Sequence, residues 1–268
     1  MRVPVEHKYF PHDSYDTPED TPRHLLDRLL LGSRWYLYAS FVIGSVFTSR
    51  SLAARDVYTD EAWAETSHRI FKLIESCGGR FHLRGLDNLS KVREPAVIIS
   101  NHMSTLETLI FPCIIAPVRQ VTFVVKESLM RGPVFGPIMR SREPITVGRK
   151  NPRDDLRTVL TRGSEVLAKG KSIIVFPEST RHLHFNPDNF NSLGIKLAKK
   201  AGVPFIPAAI KTDFWGNGTL LRGFGPLDRS LPIHMAFGEP LRVRERGREE
   251  HRAVVDFIQS HQRRWLQI

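Results

Sequence analysis

Short apolar runs alternate with amphipathic segments along most of the chain, and this alternation predicts strands separated by helices. Runs rich in Val, Ile and Phe that end at turn-forming residues are typical of buried strands. Seven strands are predicted on this basis: Arg80–Arg84, Ala96–Ser100, Val121–Val125, Ile145–Val147, Ser172–Phe176, Phe205–Ile210 and Ile233–Phe237. The pattern favours the α/β class, with a single twisted, mostly parallel sheet flanked by helices.

Two of the intervening helices have clear sequence signatures. Asn151 is placed to cap a helix whose first residue, Pro152, lacks the N–H that a helix start leaves unpaired. Asp154 and Asp155 would complement the positive end of the same helix. Apolar residues at helical spacing predict a last helix from about Arg248 to Trp265.

The N-terminal part of the chain differs from the rest. Residues 1–21 contain several prolines among acids and histidines, which predicts a flexible leader. Residues 22–60 are largely apolar and aromatic and predict a helical segment, and residues 61–268 are assigned to the α/β domain. The stretch from Trp35 to Phe47 has no charged residue but is only 13 residues long. A helix needs about 20 residues to cross a bilayer.

Two interpretations of residues 22–60 remain open. Arginines at the ends of the apolar stretch and aromatic residues in its first turns are typical of a helix that lies in a membrane interface. The same apolar residues would also suit a core helix that packs on the sheet.

A first block of polar residues, SNHMSTLE at positions 100–107, follows the second predicted strand. On one continuous helix a step of five residues turns by about 500°, so the side chains of His102 and Glu107 would point apart. They can meet only if His102 lies on the turn before the helix. The carboxylate would then accept a hydrogen bond from one imidazole nitrogen, and the other nitrogen would be free to act as a base.

A second polar block, PESTR at positions 177–181, follows the strand Ser172–Phe176. Open α/β sheets bind ligands at the carboxyl ends of their strands. We therefore expect both blocks to lie at one edge of the sheet and to form an active site there. Lys126, at the end of the strand FVVK, would lie at the same edge and is a further candidate to bind phosphate.

These blocks resemble motifs of the 1-acylglycerol-3-phosphate acyltransferase family. NHMSTLE is similar to its NHxxxxD motif and FPESTR to its FPEGTR motif. Residues Phe135 to Arg149 are similar to the family's middle motif, and Gly202 to Pro207 to its final VPxxP motif. The resemblance spans residues 80 to 240, with Glu107 in place of the usual Asp and Ser179 in place of the usual Gly.

The resemblance implies that His102, oriented by Glu107, removes the proton from an acceptor hydroxyl as it attacks a thioester. We expect backbone N–H groups around Ser104 to stabilise the resulting oxyanion. The resemblance also implies a set of substrate-binding residues, with Arg149 and Arg181 on the acceptor phosphate: Asn101, Lys126, Arg149, Glu178, Ser179, Thr180 and Arg181. For Glu178 a structural role and an acceptor-binding role remain open.

The family further implies which molecules take part in the reaction. Acyl-CoA or acyl-carrier protein would be the donor, and lysophosphatidic acid the default acceptor, which would become phosphatidic acid. No cofactor is expected beyond this co-substrate. Another lyso-lipid or an amino lipid remains an alternative acceptor.

Charge agrees with a lipid substrate but does not select it. The 268 residues include 39 Lys and Arg against 28 Asp and Glu, a net charge of +11. An anionic membrane surface and nucleic acid would both attract such a protein. The motifs favour the membrane and no nucleic acid, although a non-catalytic basic protein that binds either one remains a rival interpretation.

The polar N-terminus lacks the apolar core of a secretory signal. We therefore expect a peripheral or monotopic protein at the cytoplasmic face of the membrane. Cys77 and Cys113 have no CxxC or metal-ligand spacing and are predicted to be buried and reduced.

Three other chemistries lack their sequence signatures. No GxSxG marks the nucleophile of a hydrolase. Gly170, Lys171 and Ser172 imitate the end of a P-loop, but the leading glycine is missing and the block precedes a strand. His182 and His184 have no third ligand at a suitable spacing, so no metal site is predicted.

Overall fold

The computed structural model describes residues 7–30, 33–178, 180–218 and 223–266. Within these residues, eight strands form one sheet: β1 Ser14–Asp16, β2 Phe81–Arg84, β3 Val97–Ser100, β4 Val121–Lys126, β5 Ile145–Val147, β6 Ser172–Val175, β7 Phe205–Lys211 and β8 Ile233–Phe237. Their order across the sheet is β1-β2-β8-β7-β3-β6-β4-β5. Strands β7, β3, β6, β4 and β5 run parallel, and the antiparallel pairs are β1–β2 and β7–β8. The predicted mostly parallel sheet is confirmed.

Helices cover both faces of this sheet. They are α1 Leu25–Leu29, α2 Trp35–Phe41, α3 Phe47–Ala54, α4 Asp60–Ser76, α5 Leu106–Ile115, α6 Phe135–Ser141, α7 Pro152–Ala168, α8 Leu193–Ala201 and α9 Arg248–Leu266. A π-helical stretch, Val42–Val46, joins α2 to α3. Helix α7 begins as predicted, because the side chain of Asn151 accepts a hydrogen bond from the Arg153 N–H at 3.0 Å.

The core lies in two layers because side chains alternate between the two faces of each strand. Along β3, Ile98 packs in a layer that includes residues of α2, α4 and α5. Its neighbours Val97 and Ile99 pack in the other layer, with residues of α7, α8 and α9. β3 is therefore buried on both faces at the centre of the sheet, and the polar segment that follows it is held on a rigid base.

Residues 7–21 are not a flexible leader. Strand β1 pairs with β2 at the edge of the sheet, and Phe10 is buried in the core. The hydroxyl groups of Tyr15 and Thr17 each donate to Oε1 of the buried Glu75 at 2.6 Å. The prediction is wrong because one buried apolar side chain and two hydrogen-bonded hydroxyls fix the segment, and Pro11 and Pro18 lie outside the short edge strand. Residues 1–6 lie outside the described residues.

The helices of residues 22–60 have two apolar faces. One face is buried in the core and includes Leu37, Tyr38, Phe41 and Val46. The other is open to solvent, and each of its large side chains is more than half exposed: Leu25, Leu29, Trp35, Ile43 and Phe47. The interpretation as a core helix is confirmed for the buried face, and the interfacial interpretation stays a prediction for the exposed one. Within the described ranges, no helix has the length and apolar character needed to cross a membrane.

Both cysteines are buried free thiols, as predicted for their side chains. Burial raises the pKa of Cys77 and of Cys113 to about 12. The thiolate is the reactive form of cysteine, so these side chains serve as small core residues.

A row of polar side chains crosses four neighbouring strands. Asp16, His82, His234 and Lys211 are paired in register across β1, β2, β8 and β7. The ring of His234 stacks on that of His82 at 4.8 Å and on Trp265 at 5.1 Å. Burial, followed by the charges of His82 and Lys211, lowers the pKa of His234 to about 4. His234 is therefore neutral in the folded protein at neutral pH.

This burial predicts a loss of stability in acid. The ordinary pKa of His234 is 6.5, so between pH 6.5 and about 4 the unfolded chain takes up a proton that the folded chain does not. The free energy of unfolding should fall across that window as the pH is lowered. His234→Gln should reduce this fall, whereas the exposed His12→Gln should not. Urea unfolding at about pH 7 and about pH 5 measures the difference, and equal falls in both variants would contradict the assignment.

Candidate active site

His102 lies on the connection between β3 and α5, before the helix begins. Its Nδ1 is 2.8 Å from Oε1 of Glu107, so the predicted contact is confirmed. The Glu107 side chain is fully buried, whereas that of His102 is 16% exposed. With Nδ1 engaged by the carboxylate, Nε2 is the nitrogen able to exchange a proton with a bound molecule.

The carboxylate of Glu107 is surrounded by donors. It accepts from the N–H of Met103 at 2.7 Å, the N–H of Ser104 at 2.9 Å and the Ser104 hydroxyl at 3.0 Å. Burial by itself would raise the pKa of Glu107, but the hydrogen bond and charge of His102, the backbone donors and Thr212 together hold it below the ordinary value. Glu107 is therefore ionised beside the imidazole.

These contacts change the expected source of oxyanion stabilisation. The N–H groups of Met103 and Ser104 both point at Glu107, and the Leu106 N–H donates to the Ser104 hydroxyl at 3.0 Å. The prediction that backbone donors around Ser104 face an oxyanion is thus wrong for these groups, because the buried carboxylate needs them. The Thr105 N–H has no hydrogen-bond partner among the described residues.

Thr212 is part of this site but was not predicted. It is fully buried, and its hydroxyl donates to Oε2 of Glu107 at 2.8 Å and lies 3.0 Å from the Ser104 hydroxyl. Thr212 directly follows β7, which is parallel to β3. The rule that polar residues at the carboxyl ends of parallel strands meet would have found it.

Two residues of the loop after β6 form hydrogen bonds with the backbone of His102, one with its N–H and one with its carbonyl. The His102 N–H donates to Oε2 of Glu178 at 2.7 Å, and the His182 N–H donates to the His102 carbonyl at 2.9 Å. The other oxygen of Glu178, Oε1, is buried and has no hydrogen-bond partner in the described part of the chain. Burial, opposed by the His102 N–H and reinforced by the charge of Glu107, raises the pKa of Glu178 to about 7.

The same loop fixes the imidazole ring. Phe176 stacks on His102 with ring centroids 4.4 Å apart and an angle of 22° between the planes. Phe176 in turn lies near-parallel to Phe111 and Phe123, at 6.1 and 6.2 Å. The ring of His102 is thus held by an aromatic stack on one face and by Glu107 at its edge.

Arg181 is brought into the site, because its Nη1 donates to the hydroxyl of Thr105 at the start of α5. Thr180 is exposed, and its N–H bonds to the carbonyl of Glu178 at 2.6 Å. Ser179 lies outside the described residues. A guanidinium therefore stands beside the turn that carries His102.

Lys126 and Arg149 lie at the same edge of the sheet but farther away. Both are exposed, at the ends of β4 and β5, which are two and three strands from β3. With about 4.8 Å between neighbouring strands, Arg149 is about 14 Å from β3 across the sheet. Its backbone is in the left-handed region (φ 57°) and is anchored by an N–H bond to Asp155 at 3.0 Å. Lys126 and Arg149 thus form a basic edge on the β4 and β5 side of the sheet, two to three strands from the His102 turn.

Asn101 was predicted to bind substrate, but its side chain is used within the fold. It is buried, donates to the Ile210 carbonyl at 3.0 Å and accepts from the Ile210 N–H at 2.9 Å. β3 pairs with β7 only as far as Ser100. The side-chain amide of Asn101 therefore pairs with the backbone N–H and carbonyl of Ile210, where a further residue of β3 would otherwise do so. The prediction is wrong because the buried peptide groups of Ile210 must be hydrogen-bonded and the Asn101 side chain is used for this purpose.

No group of three or more His, Cys, Asp or Glu side chains that could hold a metal ion occurs in the ranges that the structure describes.

Comparisons with known proteins agree on one family. The family model described as Acyltransferase matches residues 80–211. A 1-acyl-sn-glycerol-3-phosphate acyltransferase of Pseudomonas aeruginosa is 31% identical over 189 residues, which are 70% of this chain and 70% of the relative. A chloroplastic enzyme of the same description from Arabidopsis thaliana is 29% identical over 131 residues, which are 49% of this chain but only 36% of the relative.

The fold has a solved counterpart. The crystal structure of PlsC from Thermotoga maritima, described as a 1-acyl-sn-glycerophosphate (LPA) acyltransferase, matches with a TM-score of 0.64. The match covers 88% of this chain and 95% of the PlsC chain at 20% sequence identity. At this identity the likeness concerns the fold.

The contacts of Thr212 predict a specific effect on stability. Thr212→Val keeps the side-chain volume but removes a hydroxyl from a buried carboxylate, and a hydrogen bond to a charged group contributes about 1.5–3 kcal/mol. The free energy of unfolding should fall by about that amount, while Thr212→Ser, which keeps the hydroxyl, should lose less. Urea denaturation of both variants tests this, and equal losses would show that the hydroxyl does not matter.

Proposed function

Since this chain belongs to the Acyltransferase family, we propose that it transfers a fatty acyl group from a thioester to the hydroxyl of a lysophospholipid. The observation that carries the proposal is the His102–Glu107 pair, with Nδ1 held at 2.8 Å from the carboxylate and Nε2 left for a substrate. The names of the relatives point to 1-acylglycerol 3-phosphate as the acceptor and phosphatidic acid as the product.

In the proposed reaction the acceptor hydroxyl attacks the thioester carbonyl while Nε2 of His102 takes the hydroxyl proton. The buried carboxylate of Glu107 stabilises the imidazolium that forms. Collapse of the tetrahedral intermediate forms the ester and expels the thiolate, which then receives the proton from His102. The balance is one thioester and one alcohol converted to one ester and one thiol, with no covalent enzyme intermediate.

The oxyanion needs a donor other than Met103 and Ser104, whose N–H groups are engaged by Glu107. We assign this role to the Thr105 N–H. It lies on the same turn as His102 and is left without a partner by the described residues. A preorganised donor at this point would stabilise charge as it develops.

The acceptor would bind on the side of β3 that carries β6, β4 and β5. Arg181, beside Thr105, and the basic edge formed by Lys126 and Arg149 would attract its phosphate. Glu178, whose buried Oε1 has no described partner, would hold the His102 turn on this side through its bond to the His102 N–H. Because the pKa of Glu178 is raised to about 7, this carboxyl can either accept or donate a hydrogen bond.

The exposed apolar face of α1–α3, defined by Leu25, Leu29, Trp35, Ile43 and Phe47, would bring the protein to its substrate. Arg28, Arg34 and Arg50 are exposed on the same helices and suit an anionic lipid surface. We therefore propose peripheral or monotopic binding to a membrane, at the cytoplasmic leaflet. There the donor would be acyl-CoA or acyl-carrier protein, with no other cofactor.

The catalytic assignment is tested by His102→Ala. The rate of thiol release in the presence of lysophosphatidic acid should fall by about 10² to 10⁴-fold, the usual contribution of a general base.

Glu107→Asp should retain substantial activity, and Glu107→Gln should lose most of it because a neutral amide does not stabilise the imidazolium. Exposed His12→Ala is the control. A His102→Ala rate within threefold of the parent would refute the mechanism, and a panel of lyso-lipids without phosphate would test the acceptor.

The membrane proposal is tested by point changes, because deletion of the helices would also remove Leu37 and Phe41 from the core. The triple change Trp35→Ser, Ile43→Ser and Phe47→Ser should lower co-sedimentation with anionic vesicles by at least about tenfold, since each large apolar side chain contributes about 1.5–3 kcal/mol when fully buried.

The control for that change is Leu241→Ser, which alters an exposed apolar side chain outside these helices. The triple variant should still act on a dispersed short-chain lyso-lipid at the parental rate. Undiminished vesicle binding by the triple variant would refute the assignment of this face.

A further inference from the structure

A cavity of about 370 Å³ opens at the carboxyl end of β7, the neighbour of β3 on the side away from β6. Met103, the residue after His102, forms part of its wall, and the side-chain amide of Asn217 donates to the Met103 carbonyl at 3.1 Å. Ligand pockets commonly have volumes of about 300–1,000 Å³. The cavity therefore adjoins the His102 turn and is large enough to hold part of a substrate.

The cavity contains a buried ion pair. Lys211 lines it with a side chain only 5% exposed, and its Nζ is 2.9 Å from Oδ1 of Asp213, whose side chain is 20% exposed. Removing a lysine and a carboxylate from water has a desolvation cost that their mutual attraction seldom exceeds. Lysine can donate three hydrogen bonds, and Asp213 takes the only one found among the described residues. A role in binding a ligand therefore explains the Lys211–Asp213 pair better than a contribution to the stability of the fold does.

The charges of the described lining, which also includes His184, do not favour a phosphate as the occupant of the cavity. Asp213 neutralises Lys211, and Asp228 adds a further carboxylate to the lining. The basic edge with Lys126 and Arg149 lies on the opposite side of β3. The cavity walls combine amide groups, from Asn217 and Gln262, with the apolar side chains of Leu183, Leu231 and Leu266. This lining suits an uncharged chain that has both amide groups and methylene groups.

We propose that the cavity holds the pantetheine arm of the acyl donor. The inference rests on the proposed acyltransferase function and adds to it the binding site of one substrate. Lys211 and Asn217 would donate to the amide carbonyls of the arm, and Asp213 would accept from its N–H groups. Gln262 uses its NH₂ group on the Ile210 carbonyl at 3.2 Å, which leaves its side-chain oxygen as an acceptor. The thioester at the end of the arm would reach His102 past Met103.

This arrangement places the two substrates on opposite sides of β3. The donor would enter over β7 and the phosphate-bearing acceptor over β6, β4 and β5, so that they meet at His102. Coenzyme A and the carrier protein attach the acyl group through the same pantetheine arm. A site for the arm alone would therefore serve either donor, and the part beyond the arm would decide between them.

Two variants of the full-length protein test the proposal. Leu231→Trp places a larger side chain in the lining and leaves both members of the ion pair in the sequence, and Lys211→Met removes the ammonium while it keeps most of the stem. Lys211→Met should weaken the binding of coenzyme A and of pantetheine, measured by calorimetry without acceptor, by about tenfold, the value of roughly one hydrogen bond to a charged group. Leu231→Trp should weaken it at least as much, because the larger side chain would occupy the space of the arm. In steady-state kinetics each should raise the KM for acyl-CoA and leave the KM for lysophosphatidic acid unchanged.

Lys126→Met provides the matched comparison, because it should raise the KM for the acceptor and leave coenzyme A binding unchanged. Leu231→Trp keeps Lys211 and therefore tests the cavity even if Lys211→Met fails to fold. Circular dichroism checks the fold of both variants. If Leu231→Trp binds coenzyme A and pantetheine as tightly as the parent, the proposal is overturned. Calorimetry measures binding and needs no turnover, so it tests whether the cavity binds the arm even if the acyl transfer assay refutes the proposed function.

Discussion

The buried carboxylate of Glu107 is the constraint on which the site depends. Two backbone N–H groups, two hydroxyls and the imidazole of His102 converge on it. Because these donors come from the turn after β3 and from Thr212 after β7, a single ionised group fixes the turn, the helix start and the neighbouring strand together. Without them the carboxylate would be an uncompensated buried charge, which folded proteins do not tolerate. The position of His102 follows from satisfying Glu107.

The helices with the exposed apolar face are linked to this turn by packing. The hydroxyl of Tyr38 on α2 donates to the Gly225 carbonyl, and the indole of Trp215 donates to the Gly223 carbonyl. A Cβ on Gly223 would lie only 3.5 Å from the Thr105 hydroxyl, which Arg181 also contacts. Residues 223–225 thus lie against α2 on one side and against the His102 turn on the other. A membrane-bound α2 would hold the site at a fixed height above the lipid surface.

The sequence predicted what depends on local pattern and missed what depends on distant partners. All seven predicted strands occur, because each is an apolar run with its own turn signals. Helix geometry required His102 to lie before the helix if it was to meet Glu107, and the resemblance to the NHxxxxD motif implied that the two residues do meet. The burial of residues 7–21 depends on Glu75, and the role of Asn101 depends on Ile210. Neither partner is visible within a short window of sequence. The engagement of the Ser104 N–H by Glu107 is different, because the two residues are only three apart and match the S-x-x-E pattern of a capping box, a signal that the sequence did contain.

The strand order would allow His102 to act on two chemically different substrates. β3 has parallel neighbours on both sides, so polar groups from β7 and from β6 reach the His102 turn from opposite directions. On the β6 side the exposed cations Lys126 and Arg149 create a positive edge. On the β7 side Lys211 is neutralised by Asp213. A dianionic acceptor and an uncharged donor arm would each find a complementary surface on only one side, so electrostatics would set the direction from which each approaches Nε2.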